Sequence, residues 1–344
     1  MRSRALTARS TRTPALLASV SADVEAHNSM AEEAKVRHHF LPAFYLKGFA
    51  DAGNDGLVWV YSKQSDKLFC DKPENIGLEK HYHSFQRPDG TKDTNTIEDY
   101  FCHVWEGPTA KIIESIKGGS LPTGEDRAFF ASFLGLSLTR SPNHRSNVNR
   151  AITHMARTVT QFSTADPEKF AQTLRNYERD MREKLTDDPE ELRKFISEGE
   201  YELTANPALY LKMFVAHGVR FGQVIEKMTW AFIRATDRIK FLTCDNPFFF
   251  HDATADSRSI YGGVGLLSKH VEVSFPVSKD LALVAAWDER LKPGYFQATH
   301  ELAKTVNRRT VLAAHRFVYA PEKSEAIARL VQKHANDRPT LVVS

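Results

Sequence analysis

Met228-Thr229-Trp230-Ala231-Phe232-Ile233-Arg234-Ala235 is where the chain changes its period. Before it, long stretches place apolar residues at helical spacing. From Trp230 to Ile233 the apolar side chains run consecutively, aromatic and β-branched among them, and Arg234-Ala235 closes the segment, as in a buried strand. Asp237-Arg238 can turn that strand back into Ile239-Lys240-Phe241-Leu242. Further on, His270 to Phe275 alternates and puts Val271, Val273 and Phe275 on one face. Ser278-Lys279-Asp280 is a turn, and Leu281 to Trp287 is apolar enough to be a return strand covered on both faces. A helix from about Phe296 to Ala314 follows, then a short strand from Arg316 to Tyr319 and a terminal helix from Pro321.

Upstream the reading is helical. Thr96 can cap a helix running to Gly118-Gly119, with Glu98 and Asp99 in its first turn, where the helix dipole favours acids. Thr123-x-x-Asp126 is a capping-box variant opening a longer helix through Phe129, Phe133 and Leu138. Ser141-Pro142 interrupts it just after Arg140, and a second helical piece runs from Asn143 to about Phe162. The stretch from Asp166 to Glu202 is highly charged; Pro167 and Pro189 start successive helices in it, and it reads as a solvated insertion. Asn206-Pro207 begins an apolar helix ending near Lys227.

Nearer the N-terminus, Phe40, Leu41, Phe44, Tyr45 and Phe49 recur at helical spacing, and Pro42 fits a first helical turn. Leu57 to Tyr61 and Lys67 to Cys70 then make a hairpin. Helices first and antiparallel hairpins later predict an α+β fold: helix-rich, with a small N-terminal hairpin and a C-terminal mostly antiparallel sheet. One domain is expected over residues 36–344, with the charged helical insertion near 166–202. Residues 1–35 read as a disordered tail. Arg2, Arg4, Arg9 and Arg12 alternate with Ser, Thr and Ala, a bias that organellar transit peptides share. The plainer alternative is a tail, with Met30 as the true start.

The 344 residues, 42% apolar and 26% charged, suit a globular protein with a sizeable core. A net charge of +3 demands neither nucleic acid nor an anionic membrane as partner, although a local basic groove stays open. No apolar run approaches the ~20 residues that span a bilayer. Cys70, Cys102 and Cys244 are widely spaced, without a Cys-x-x-Cys pair, which fits a reducing, cytoplasmic setting better than secretion. There is no Walker-type phosphate loop, no G-x-S-x-G elbow and no H-E-x-x-H zinc helix. Tyr261-Gly262-Gly263-Val264-Gly265 neither follows a clear strand nor opens a helix, so it reads as a loop rather than a dinucleotide site.

The residues that could carry chemistry lie far apart in sequence. His38-His39 sits at an expected helix start, where one ring could pack or cap and the other remain functional. His81 and His83 could share one strand face. Glu98 is accounted for as a first-turn helix residue. Glu106, beside Trp105 and before Gly107-Pro108, is the better inward carboxylate. Arg140 either offsets a helix C-terminus or holds a carboxylate or phosphate with its planar fork. Asp245-Asn246-Pro247 lies between apolar stretches. It is either a polar turn or a site, since an ionised Asp there must find a partner. Cys244 reads as a buried hydrophobe more than a nucleophile.

Several of these fall in ordered motifs. His38 to Phe49 carries His-His-x-x-Pro-x-Phe-Tyr-Leu-x-x-Phe; Asn75 to Tyr82 follows a hairpin; then come Glu106 and Thr139-Arg140-Ser141-Pro142. Thr243-Cys244-Asp245-Asn246-Pro247, Phe275 to Ser278, Asn307 and Arg316 to Tyr319 complete the order. Taken together the segments resemble the family called domain of unknown function 4238, over roughly residues 36 to 320. The resemblance implies no activity, so function rests on the residues. They suggest a metal-assisted hydrolase of phosphoesters, nucleic acid or nucleotide. His39, Glu106 and Asp245 would be its catalytic groups, His39 and Asp245 the candidate ligands of a divalent metal, and Arg140 and Asn246 would hold substrate. The alternative is a non-catalytic binding or regulatory module whose polar residues form a structural network.

Overall fold

Residues 34–87, 89–182, 184–199, 207–254 and 264–337 are described by a computed structural model. The chain begins with a short strand, Arg37–His39 (β1), a helical turn, Ala43–Lys47 (α1), and the hairpin Val58–Ser62 (β2) and Leu68–Asp71 (β3). Leu78–Lys80 (β4) returns to pair antiparallel with β1, and Phe85–Gln86 (β5) pairs with Lys92–Asp93 (β6). Thr96–Tyr100 (α2) continues through a π-helical stretch, Phe101–Glu106, into Gly107–Lys117 (α3). Gly124–Arg140 (α4), Pro142–Thr164 (α5), Pro167–Met181 (α6), Pro189–Glu198 (α7) and Pro207–Glu226 (α8) complete the helical part. Then come Thr229–Arg234 (β7), Thr243–Cys244 (β8), Phe249–His251 (β9), Glu272–Ser278 (β10), Leu281–Ala286 (β11) and Gly294–Gln297 (β12). His300–Ala313 (α9), Phe317–Ala320 (β13) and Glu325–Lys333 (α10) follow.

The fold is α+β. Its larger sheet has the order β12-β7-β11-β10-β9 and is antiparallel except where β12 lies parallel to β7. Strand β11 is buried along its whole length, as its unbroken apolar run requires. The N-terminal hairpin does not stand apart. A two-stranded ribbon is marginal in water, and here β13, from the other end of the chain, pairs with β2 and then with β8 to give the order β3-β2-β13-β8. The main core lies between helix α4 and the larger sheet, with Phe130 edge-on to Trp230 and Phe275 against both Tyr45 and Phe248.

Several helix starts fall where the sequence puts them. Asp166 and Asp188 cap α6 and α7 by accepting backbone N–H bonds, each followed by a proline at the first helical position. Several expectations change. Thr96 is the first residue of α2 rather than its cap, which is Asn95, and the terminal helix begins at Glu325 rather than at Pro321. Thr123 precedes α4 without making a side-chain cap, so the capping box is not formed. His38 and His39 lie on a strand, because β4 offers its edge just before α1 begins. Ile239 to Leu242 is no return strand; it crosses from β7 to β8, in the other sheet. Phe296 belongs to β12, and the following helix starts only at His300, capped by Thr299. Residues 1–33 of the expected tail and 261–263 of the glycine-rich loop lie outside the described residues. Among the described residues no helix is long and apolar enough to cross a membrane.

Helices α4 and α8 approach backbone to backbone at Gly135. A Cβ there would lie 2.0 Å from the Gly218 carbonyl oxygen and 2.5 Å from the Gly222 nitrogen. Helix propensity alone would favour alanine by ~1 kcal/mol. The contact reverses that sign: Gly135→Ala is expected to destabilise by about 1–3 kcal/mol, read as a lowered urea midpoint.

Candidate functional site

A strand alternates its faces, so β1 sends its two histidines opposite ways. His38 is fully buried. Its Nδ1 accepts the His83 backbone N–H at 2.8 Å and its Nε2 faces the Lys35 carbonyl at 3.0 Å, an arrangement that needs the proton on Nε2. The ring stacks on that of His83, with centroids 5.8 Å apart. His39 turns the other way, toward Glu98. Its backbone N–H donates to Glu98 Oε1 at 3.1 Å, its Nδ1 lies 3.6 Å from the same oxygen, and its Nε2 lies near the surface, 3.3 Å from the Glu74 carbonyl.

Arg140 closes the cluster from α4. It is buried, stacked 4.2 Å over the Phe101 ring, and donates through Nη2 to the His39 carbonyl while standing 3.8 Å from Glu98 Oε2. Tyr82 donates its hydroxyl proton to the Arg140 carbonyl at 3.0 Å, so the end of α4 is held as well as the side chain. His83 bonds the His39 carbonyl at 3.3 Å and lies 4.0 Å from Glu98 Oε2. Burial and the neighbouring Arg140 guanidinium push its imidazole well below the ordinary histidine range.

Glu98 and Glu106 meet this environment differently. Burial by itself raises a carboxyl, but the hydrogen bonds from His39 and the charge of Arg140 bring Glu98 down to about 2. Glu106 leaves the π-helical stretch mostly buried. There burial and the Glu98 charge raise its carboxyl, and Arg140 offsets this only in part. Glu106 and Arg140 share the wall of a small cavity with Pro42, Phe101, Trp105 and Leu136, roomy enough for a single water-sized group. Two wall residues hold buried N–H groups, Arg140 Nε and Trp105 Nε1, with no hydrogen-bond partner among the described residues.

Asp245 and Asn246 lie in a different network. Asp245 is fully buried and accepts the backbone N–H groups of His315, Arg316 and Phe317 at 2.7, 2.7 and 3.1 Å. Burial pushes its carboxyl up, to about 6, against those three donors, which favour the charged form. Asn246 donates to the Ala313 carbonyl at 3.0 Å, and the Cys244 thiol donates to the Asn246 carbonyl. The Tyr45 hydroxyl, bonded to Pro276 O, meets Thr243 at 2.7 Å. The structure thus brings His39, Glu106 and Arg140 together and sets Asp245 and Asn246 apart.

Two members of the cluster were read otherwise from sequence. Glu98 does sit in the first turn of α2, but its carboxylate serves β1, a partner 59 positions away. His81 and His83 do not share a face: His81 takes a left-handed turn conformation, φ 56°, and is exposed, whereas His83 is buried. Glu98 and Glu106 stand eight residues apart in sequence, near two helical turns, and the π-helical stretch between them distorts that spacing. Among the described residues no group of three or more His, Cys, Asp and Glu side chains is arranged to hold a metal ion.

A family model described as "Protein of unknown function (DUF4238)" matches residues 37–324, and the chain belongs to that family. No curated protein and no solved structure matches it.

Glu98 ties the cluster to the pH dependence of stability. Its folded value, about 2, lies below the ordinary 4.5, so its contribution is fully present above pH 4.5 and is lost as pH falls toward 2. At neutral pH this amounts to about 3 kcal/mol. Glu98→Gln is expected to lower the urea midpoint at pH 7 and to remove that part of the acid-side decline, measured by urea titrations at pH 7, 4 and 3.

Proposed function

We propose that this member of the family is a hydrolase that cleaves a phosphoester by general acid–base catalysis at the His39–Glu98–Glu106–Arg140 cluster. The observation that carries the reading is geometric: Glu106 and the buried Arg140 wall one small cavity, in which Arg140 Nε and Trp105 Nε1 have no hydrogen-bond partner among the described residues. Beside it the carboxyls of Glu98, brought down to about 2, and Glu106, raised, are shifted in opposite directions, which suits unlike roles in proton transfer.

The roles follow from position. Glu98, ionised, orients the His39 ring through its Nδ1 side, and Nε2, near the surface, takes a proton from water once the ring turns off the Glu74 carbonyl that it faces at 3.3 Å. The hydroxide so formed attacks phosphorus. Glu106 gives its proton to the departing oxygen, and both groups return to their starting states by exchange with solvent. Arg140 Nε and Trp105 Nε1 are donors only, and in a cavity that admits one water-sized group they suit a single non-bridging oxygen of a phosphoryl group whose remainder stays outside. Asp245, expected to share a divalent cation with His39, spends its carboxylate on three backbone N–H groups. This reading therefore gives the proton transfers to the cluster's own side chains.

A second reading, a non-catalytic module stabilised by a polar network, has one observation in its favour: Arg140 is only 3% exposed. Steady-state hydrolysis of p-nitrophenyl phosphate and bis-p-nitrophenyl phosphate separates the two. The catalytic reading expects turnover by the wild type. His39→Gln and Glu106→Gln should each slow it by about 10²–10⁴-fold, with unfolding midpoints close to wild type. A wild type inert toward both esters, or variants that lose stability at an unchanged rate, would favour the network.

A further inference from the structure

Behind the β1–β4 ribbon lies a second polar feature that shares no lining residue with the Glu106 cavity. It is an open cleft of about 410 Å³, bounded by the segment from Glu79 to Tyr82, the first turns of α5, and the His315-Arg316 stretch before β13. Among the described residues three permanent cations, Lys80, Arg145 and Arg316, line it with one carboxylate, Glu79, a surplus of two positive charges in that lining. The chain as a whole is close to neutral at +3, so this is local concentration rather than a general field.

We propose that this cleft binds a phosphate or pyrophosphate group. Both guanidinium groups are positioned in advance. Arg145 donates through Nη1 to the Tyr82 carbonyl at 2.6 Å and lies 4.6 Å over the Tyr82 ring. Arg316 is bonded to Glu79 through Nη2. Planar forks fixed in this way match the oxygens of a phosphate and lose little freedom on binding it. Helix α5 adds to the same field: it begins at Pro142, on the cleft wall, and no acidic residue in its first turn offsets the positive end of its dipole. Ser146 and Asn149, one turn further on, supply neutral polar groups beside the cations.

The site stands on its own residues, whether or not the Glu98–Glu106 cluster is catalytic. Its ligand could be a free phosphorylated small molecule or one phosphate of a nucleic-acid backbone, and the chemistry recognised is the same. Calorimetric titration of the full chain with sodium pyrophosphate at low salt is expected to show saturable binding that weakens as salt rises. Arg145→Gln and Lys80→Gln should each weaken it by about tenfold or more, while Lys169→Gln, at an exposed lysine of α6 that does not line the cleft, should leave it unchanged. Should Arg145→Gln unfold the protein, Asn149→Asp tests the same point by placing a negative charge in the cleft without removing a held arginine. A second arm titrates a fluorescent single-stranded oligonucleotide. Binding that pyrophosphate displaces assigns the phosphate to a backbone, and pyrophosphate binding alone assigns it to a small ligand. No binding in either arm, or binding indifferent to the Lys80, Arg145 and Asn149 variants, overturns the proposal.

Discussion

An ionised carboxylate cut off from water must be satisfied by the chain itself, and at Asp245 that requirement joins the two ends of the molecule. Its two oxygens take the backbone N–H groups of three consecutive residues, 315 to 317, just where the chain leaves α9 for β13. The Asp245 N–H returns a bond to the Phe317 carbonyl at 3.1 Å, so the segment is held from both sides. Strand β13 is thereby set beside β8 and offers its other edge to β2. Without it the N-terminal hairpin would be a lone ribbon. Arg316, fixed by the same bonds, reaches Glu79 on β4 and so anchors the ribbon that carries His38 and His39.

Arg140 is the second anchor, and it works by burial rather than by exposure. A guanidinium this far from solvent is tolerated only where its charge is answered and its donors are used. Glu98, the His39 carbonyl and the Phe101 face provide this in part. The unmatched remainder, Arg140 Nε with Trp105 Nε1 and Glu98 Oε2, is concentrated at one place. Buried polar atoms without a partner among the described residues also occur elsewhere, Arg316 Nε and Thr109 Oγ1 among them, but three of them around one guanidinium invite a functional reading. The opposite shifts of Glu98 and Glu106 fall at that spot. The same polar residue types meet two environments in one molecule: Asp245 has both carboxylate oxygens bonded, whereas Glu98 and Arg140 are matched only in part.

Much of the architecture was legible in the sequence because it is written in local terms. The change of period at Thr229, the caps Asp166 and Asp188 before prolines, and the break at Ser141-Pro142 each depend on a few neighbouring residues. Where the reading slipped, a distant partner had overridden local preference. Ile239 to Leu242 has the composition of a strand, yet Asn307 holds its end from α9, accepting the Leu242 N–H at 3.0 Å and donating to the Lys240 carbonyl at 2.8 Å. The pattern from Phe40 to Phe49 fits a helix, but the edge of β4 takes the residues before it as a strand.

By itself, then, the sequence determined the class of fold, the order of its elements and a short set of residues worth attention, His39, Glu106, Arg140, Asp245 and Asn246 among them. Only the tertiary structure could sort that set. His39 meets Glu98 across 59 positions and Arg140 meets the His39 carbonyl across 101, whereas Asp245 turns to residues 70 to 72 positions further along. Periodicity and capping are decided within a few residues, but a buried charge is settled by whichever partner the finished packing brings within hydrogen-bond reach. No local pattern states which one that will be.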